Sequence, residues 1–141
     1  MEKLTLAQAD TIIDETFAKG GEMGLKPLTV AVLDDGGNLV AFKKQDNSSV
    51  MRFEIARGKA WGAIGMGTAS RNLENVAKER PHFMNALVGA SGGKVVPVAG
   101  GLLVKTGDGQ IVGSIGVSGD TSDNDEQAGR AGIEAAGLIT D

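Results

Sequence analysis

The chain holds a single histidine, His82, in the run Pro81-His82-Phe83-Met84, where two large apolar side chains flank the imidazole. Such a setting suits an axial ligand to a flat, haem-like macrocycle, with Phe83 and Met84 packing on its apolar face. The same four residues also describe a surface or helix-end histidine with no chemical task. A second chemistry lies in the cations Lys43, Lys44, Arg52, Arg57 and Lys59, which gather between an expected strand and the helix after it. Guanidinium and ammonium groups hold carboxylates through charge-assisted hydrogen bonds, so this cluster could take a small acid or haem propionates. Its plainer reading is a solvated face carrying weak helix pairs such as Glu54 with Arg57. One imidazole with no placed partner does not make a Ser-His-Asp array.

Two further motifs fail on their details. Gly89-Ala90-Ser91-Gly92-Gly93-Lys94 suggests a phosphate loop, but Val88 stands where the pattern needs Gly and Val95 where it needs Ser or Thr. Asp120 to Glu126 suggests a calcium loop, but Asp125 occupies the position of the turn glycine and Ala131 that of the bidentate Glu. Capping of the last helix by Ser122 or Asp120 explains that acidic run more simply. With no Cys, the chain has no disulfide, thiolate nucleophile or Cys-based metal site. A net charge of −4 is the wrong sign for generic phosphate-backbone binding, so nucleic acid is not an expected partner. The opening residues lack the apolar run of a signal peptide or membrane span, which reads as a cytoplasmic protein with no membrane partner.

These residues must be positioned by elements legible in the pattern. Thr5-Leu6-Ala7-Gln8 has the form of a capping box and opens a first helix ending near Gly20-Gly21. Leu28 to Leu33 and Asn38 to Gln45 form a hairpin across Asp34-Asp35-Gly36-Gly37. A second helix is expected over about 51–66, although Gly58, Gly62 and Gly65 each cost roughly 1 kcal/mol there relative to Ala, and close packing is the compensating gain. Ser70 could cap a short helix through about Lys78, after which Pro81 and the glycines at 89, 92 and 93 mark irregular structure. Three strands follow at Val95–Ala99, Leu102–Lys105 and Gln110–Ser118, the first two joined by a tight turn at Gly100-Gly101. A small-residue helix over Ala128–Ala136 closes the chain.

The strand chemistry also predicts a sheet order. Pro97 cannot donate a ladder bond and belongs at one edge, while the polar strand ending Lys43-Lys44-Gln45 suits the other. The continuously apolar first strand then pairs with the fifth, giving the order 2-1-5-4-3. One face of that fifth strand, Val112, Ser114, Gly116 and Ser118, is nearly flat and open to a closely packed helix. Hairpin turns, this strand and thinned helices account for most of the 22 glycines.

The run Val30 to Phe42, the segment Ile55-Ala56-Arg57-Gly58-Lys59-Ala60, and Gly100-Gly101 with Ile111 to Gly119 together resemble the GlcG/HbpS-like haem-degrading family, related to the C-terminal domain of PduO-type proteins. The resemblance covers nearly the whole chain and implies a single α/β (α+β) domain over 1–141. Its expected form is profilin-like, a five-stranded antiparallel sheet flanked by helices, assembling as a homo-oligomer. Some members bind haem through histidines in their N-terminal part, whereas the only imidazole here is His82. The resemblance, the flat strand and the basic cluster imply a small-molecule site at His82, Arg57, Lys59, Gly100, Gly101, Ser118 and Gly119. Haem or a related tetrapyrrole is its expected cofactor. Two other readings stay open, an accessory enzyme of small hydroxy- or keto-acid catabolism and a structural subunit that works by assembling.

Overall fold

The computed structural model describes residues 2–141. Thr5 caps the first helix, α1 (Leu6–Glu22), by accepting from the Gln8 amide, and the Gln8 side chain returns the bond to Thr5, so the expected capping box is complete. The hairpin follows as β1 (Thr29–Asp34) and β2 (Leu39–Lys44), with the Asp34 carboxylate accepting from Gly36 and Asn38 amides across the turn. Helix α2 (Arg52–Met66) ends on Gly67 in the left-handed region. Next come α3 (Ser70–Glu79), α4 (Pro81–Ala90), β3 (Gly101–Lys105), β4 (Ile111–Ser118) and α5 (Ser122–Ala135).

The sheet has four antiparallel strands in the order β2-β1-β4-β3, not five. This is the expected order 2-1-5-4-3 without its last member, because Val95–Ala99 does not pair as a strand. The reason lies in its backbone donors. Val95 donates to the Ser91 hydroxyl, Val96 to the Gly58 carbonyl, Val98 to the Val96 carbonyl and Ala99 to the Glu74 carboxylate, and Pro97 has no donor at all. The segment lies instead as a strap against α2, where a Cβ on Gly58 would stand 2.8 Å from the Lys94 carbonyl oxygen. Gly100-Gly101 is therefore the entry to β3, not a hairpin turn.

Three local expectations are also corrected. Pro81 initiates helix α4, since a proline in the first turn forfeits an amide that would have no helical partner anyway. Gly92 and Gly93, at φ +70° and +80°, lie beyond its end. Ser70 does not cap α3. Its hydroxyl donates to the Val98 carbonyl and accepts from the Gly101 amide, tying α3 to the start of β3. The last helix begins six residues earlier than Ala128, at Ser122, and its cap is Thr121, which accepts from the Asn124 amide.

Helices cover both faces of the sheet. The flat face of β4 receives α2, as its composition predicted: the Ser114 hydroxyl donates to the Ala60 carbonyl at 2.8 Å, and Gly116 lies against the backbone of Ala56 and Ala60. On the opposite face, Ile115 and Val117 meet α5 at Gly129, and α5 crosses α1 where Gly132 abuts Ile12 and Thr16. Ile12, Ile13, Val30, Val32, Leu102, Val104 and Ile133 are fully buried in this core. A second, smaller cluster of Leu73, Met84 and Val95 lies beneath α3 and α4.

Candidate functional site

Three elements end or begin at one rim of the sheet: β4 finishes at Ser118, β1 starts at Thr29, and α2 starts at Arg52. Hydrogen bonds lock them together. Thr29 Oγ1 donates to the Ser118 carbonyl at 2.9 Å, and the Arg52 guanidinium donates to Ser118 Oγ at 2.9 Å. Gly119 then turns the chain with its Cα pressed on the 27–28 backbone, where a Cβ would lie 3.0 Å from Leu28 Cα. Only glycine admits that approach.

Asp120 fastens the turn to its neighbours. Its carboxylate accepts from the Lys26 and Thr121 amides and from the Asn124 side chain at 2.8–3.0 Å. These donors, Asn124 foremost, favour the ionised form and hold the carboxyl at about 2, against an ordinary 3.8. Around this rim run two adjoining clefts, of about 190 Å³ between Lys26, Ser48, Ser49, Arg52 and Gly119, and of about 270 Å³ between Lys26, Arg52, Gly119, Asp120 and Thr121. Pro27 links the first to a wider trough of about 540 Å³ beside Leu25, Lys44, Gln45 and Asp46. Ser48 Oγ is buried in the wall with no hydrogen-bond partner. Among the described residues, neither Lys26 nor Arg52 joins a salt bridge.

The expected site residues fall into three groups. Ser118 and Gly119 form the rim just described. Lys59, Gly100 and Gly101 also come together, but in the interior: Lys59 is 2% exposed, and its ammonium donates to the Val117 carbonyl at 2.8 Å and to Asp125 at 3.2 Å. Burial pushes the Lys59 ammonium down and the Asp125 carboxyl up from their ordinary values, each opposed by the attraction of its partner. Gly100 leaves the space this ammonium occupies, since a Cβ there would stand 2.9 Å from Nζ. The third group stands apart. Arg57 is half-buried with its guanidinium 6.0 Å from the Phe53 ring centre, and His82 is exposed in the first turn of α4.

His82 lines none of the clefts at the rim, and the Arg80 guanidinium lies 4.5 Å from the centre of the neighbouring Phe83 ring. Met84, expected to face a macrocycle, is 4% exposed and packs inward with Leu73 and Val95. No group of three or more metal-ligating side chains occurs among the described residues, and no described helix is long and apolar enough to cross a membrane.

Lys26, Arg52, Ser48 and Asp120 were not among the expected site residues, although Arg52 was counted in the basic cluster. Arg52 lies in the first turn of an expected helix, where the helix dipole disfavours a cation, and that was a usable signal. Lys26 and Ser48 lie in loops that only the folded sheet brings together.

The fold is α+β, one antiparallel sheet with helices on both faces, and at its rim Lys26, Arg52 and the Asp120 carboxylate line one cleft. The chain belongs to the HbpS-like family: the model of that family, described as haem degrading protein HbpS-like, matches residues 4–134. Protein GlcG of Escherichia coli strain K12 is 35% identical over 94 residues, covering 64% of this chain and 63% of GlcG. Corrinoid adenosyltransferase PduO of Salmonella typhimurium is 29% identical over 117 residues, covering 81% of this chain, which spans only 33% of PduO. Among solved structures, a double mutant of HbpS from Streptomyces reticuli matches at a TM-score of 0.80 and 27% identity, over 95% of this chain and 87% of that one. A PduOC:heme complex shares the fold at a TM-score of 0.87 and 24% identity, over 99% of both chains.

Proposed function

We propose that this chain is a ligand-binding protein whose rim cleft holds a carboxylate-bearing molecule between Lys26 and Arg52. The observation that carries this reading is the Arg52 guanidinium, which has the Ser118 hydroxyl as its hydrogen-bond partner and joins no salt bridge among the described residues. Two cations facing one cleft present what a carboxylate needs, positive charge and N–H donors. Membership of the HbpS-like family, together with the heme complex of a structural neighbour, supports haem or a related tetrapyrrole as the ligand. Its propionates would lie on Arg52 and Lys26, with Leu25 and Pro27 offering apolar surface along the trough. When bound, haem would supply iron chemistry. The residues of this rim hold and orient carboxylates. Homo-oligomer assembly would allow the exposed His82 of one copy to approach a ligand held by another.

Titration with haemin, iron-free protoporphyrin IX and glycolate tests the reading. Losing one charge-assisted contact weakens binding by roughly 10- to 150-fold, the equivalent of ~1.5–3 kcal/mol. That is the loss expected for Arg52→Ala with both porphyrins, because the carboxylates and not the iron meet Arg52. His82→Ala should leave protoporphyrin affinity unchanged, and any change in its haemin spectrum assigns iron ligation to His82. Binding of glycolate alone, sensitive to Arg52, selects the small-acid form of the reading. Indifference to Arg52→Ala, or no binding of any of the three, overturns it.

A further inference from the structure

The only tryptophan stands between two glycines that make room for it. A Cβ on Gly65 would lie 2.9 Å from Cζ3 of Trp61, and a Cβ on Gly37, in the β1–β2 turn, would lie 3.3 Å from its Nε1. The half-buried indole thereby borders an open groove of about 190 Å³, lined by Trp61, Met66, Leu87, Ala90 and Val95 between α2 and α4. Beneath the groove the packing is dense, with Leu73 at 2%, Met84 at 4% and Val95 at 6% exposure. Beside it is Lys94, exposed, with its ammonium 5.0 Å from the Trp61 ring centre and in no salt bridge among the described residues. A separate recess bordered by Trp61, of about 130 Å³, carries the exposed carboxylate of Asp35.

We propose that the groove between α2 and α4 is a second small-molecule site, taking a flat apolar anion of one or two rings such as an aromatic carboxylate. The size agrees: an apolar cavity of ~150 Å³ accommodates benzene, and this groove is somewhat larger and open. The charge agrees as well. Lys94 is an unneutralised cation at the groove, while Asp35 sets a negative charge in the other recess, so an anionic ligand is directed to the α4 side of the indole. Aromatic side chains give such a ligand a rigid surface with little ordering cost, and Gly65 leaves room at the Cζ3 edge of this one. The site shares no residue with the rim cleft and stands or falls independently of it.

The test is titration of the intact chain with 2-naphthoate and with neutral 2-naphthylmethanol, read by quenching of Trp61, whose emission is unambiguous in a chain with one Trp and no Tyr. Naphthoate should bind more tightly than the alcohol. Lys94→Gln should weaken naphthoate by about tenfold, the fold-change of a lost charge-assisted contact, and leave the alcohol unaffected, while Lys94→Arg restores naphthoate. Ala90→Leu, a change at an exposed position that fills the groove, should weaken both. Equal affinity for acid and alcohol, indifference to Lys94→Gln, or no quenching by either overturns the proposal. So does a Trp61 emission that shifts with protein concentration alone, which would show that a second copy covers the groove.

Discussion

The ammonium of Lys59 and the carboxylate of Asp125 meet at 3.2 Å with side-chain exposures of 3% and 1%, joining α2 to α5 across the end of β4. Neither group is there alone. Lys59 also donates to the Val117 carbonyl, and Asp125 accepts from the Asp120 amide at 2.9 Å. The pair therefore fixes the backbone on either side of Ser118 and Gly119, at the Val117 carbonyl and the Asp120 amide. The arrangement also occupies the 120 amide, so an anion bound in the rim cleft as proposed would meet Lys26 and Arg52.

Removing one partner leaves the other as a lone buried charge. Lys59→Met should cost about 3–5 kcal/mol in urea denaturation, and Asp125→Leu a similar amount, in line with broken buried pairs elsewhere. The double variant should lose clearly less than the sum, because both uncompensated charges are then gone. Strict additivity of the two losses would show that the groups act separately.

Gly116 predicts a sharper effect from a smaller change. A methyl group there would land on the Ala56 carbonyl oxygen and 2.8 Å from the Ala60 amide, both backbone atoms that cannot swing aside. Gly116→Ala should therefore exceed the ~1–3 kcal/mol usual for overpacking and prise α2 off the sheet. Gly107→Ala, with open space around it, should stay within ~0.5 kcal/mol. Thermal unfolding of the two side by side decides the matter, and equal melting temperatures would refute the close packing.

What could be read from the sequence was whatever depends on near neighbours or on strand chemistry. Thr5 and Gln8 are three residues apart, so their capping box was visible, and the flat face of β4 announced a closely packed helix. The four strands that form keep the relative order expected in 2-1-5-4-3, but the edge strand placed there by Pro97 does not form. Val95–Ala99 misled because its composition suits a strand, while the partners of its donors, Gly58 and Glu74, are distant in sequence. Lys59 misled for a related reason: its place on α2 does not reveal that its side chain finds Asp125, 66 positions away. The rim was read only in part: Ser118, Gly119 and the cation Arg52 were singled out, but Lys26 and Ser48 lie in loops and carry no shared motif.

The cap of α5 separates two readings of the same acidic run. Thr121, not Ser122, accepts from the Asn124 amide. Thr121→Ala should lower stability by ~1 kcal/mol through the unsatisfied first turn, and Ser122→Ala by less than half of that. Chemical denaturation of both variants measures it, and the reverse ranking would return the cap to Ser122.

Asp120 gives the chain an acid-sensitive clasp. Its carboxyl is held at about 2 in the folded protein by Asn124 and by the amides of Lys26 and Thr121, below the ordinary 3.8 of an unfolded chain. A depressed folded value means that the ionised group contributes stability that is fully present above about pH 4 and is lost as the pH falls towards 2. Asp120→Asn removes the charge but not the shape. The gap in urea midpoint between the parent chain and this variant should therefore be largest near pH 5 and shrink steadily by pH 2.5. Because Asp120 also tethers the Lys26 backbone at the cleft, carboxylate binding at pH 5 should weaken in the same variant. A gap that stays constant from pH 5 to pH 2.5 would mean that the Asp120 charge does not hold the 26–27 segment to α5.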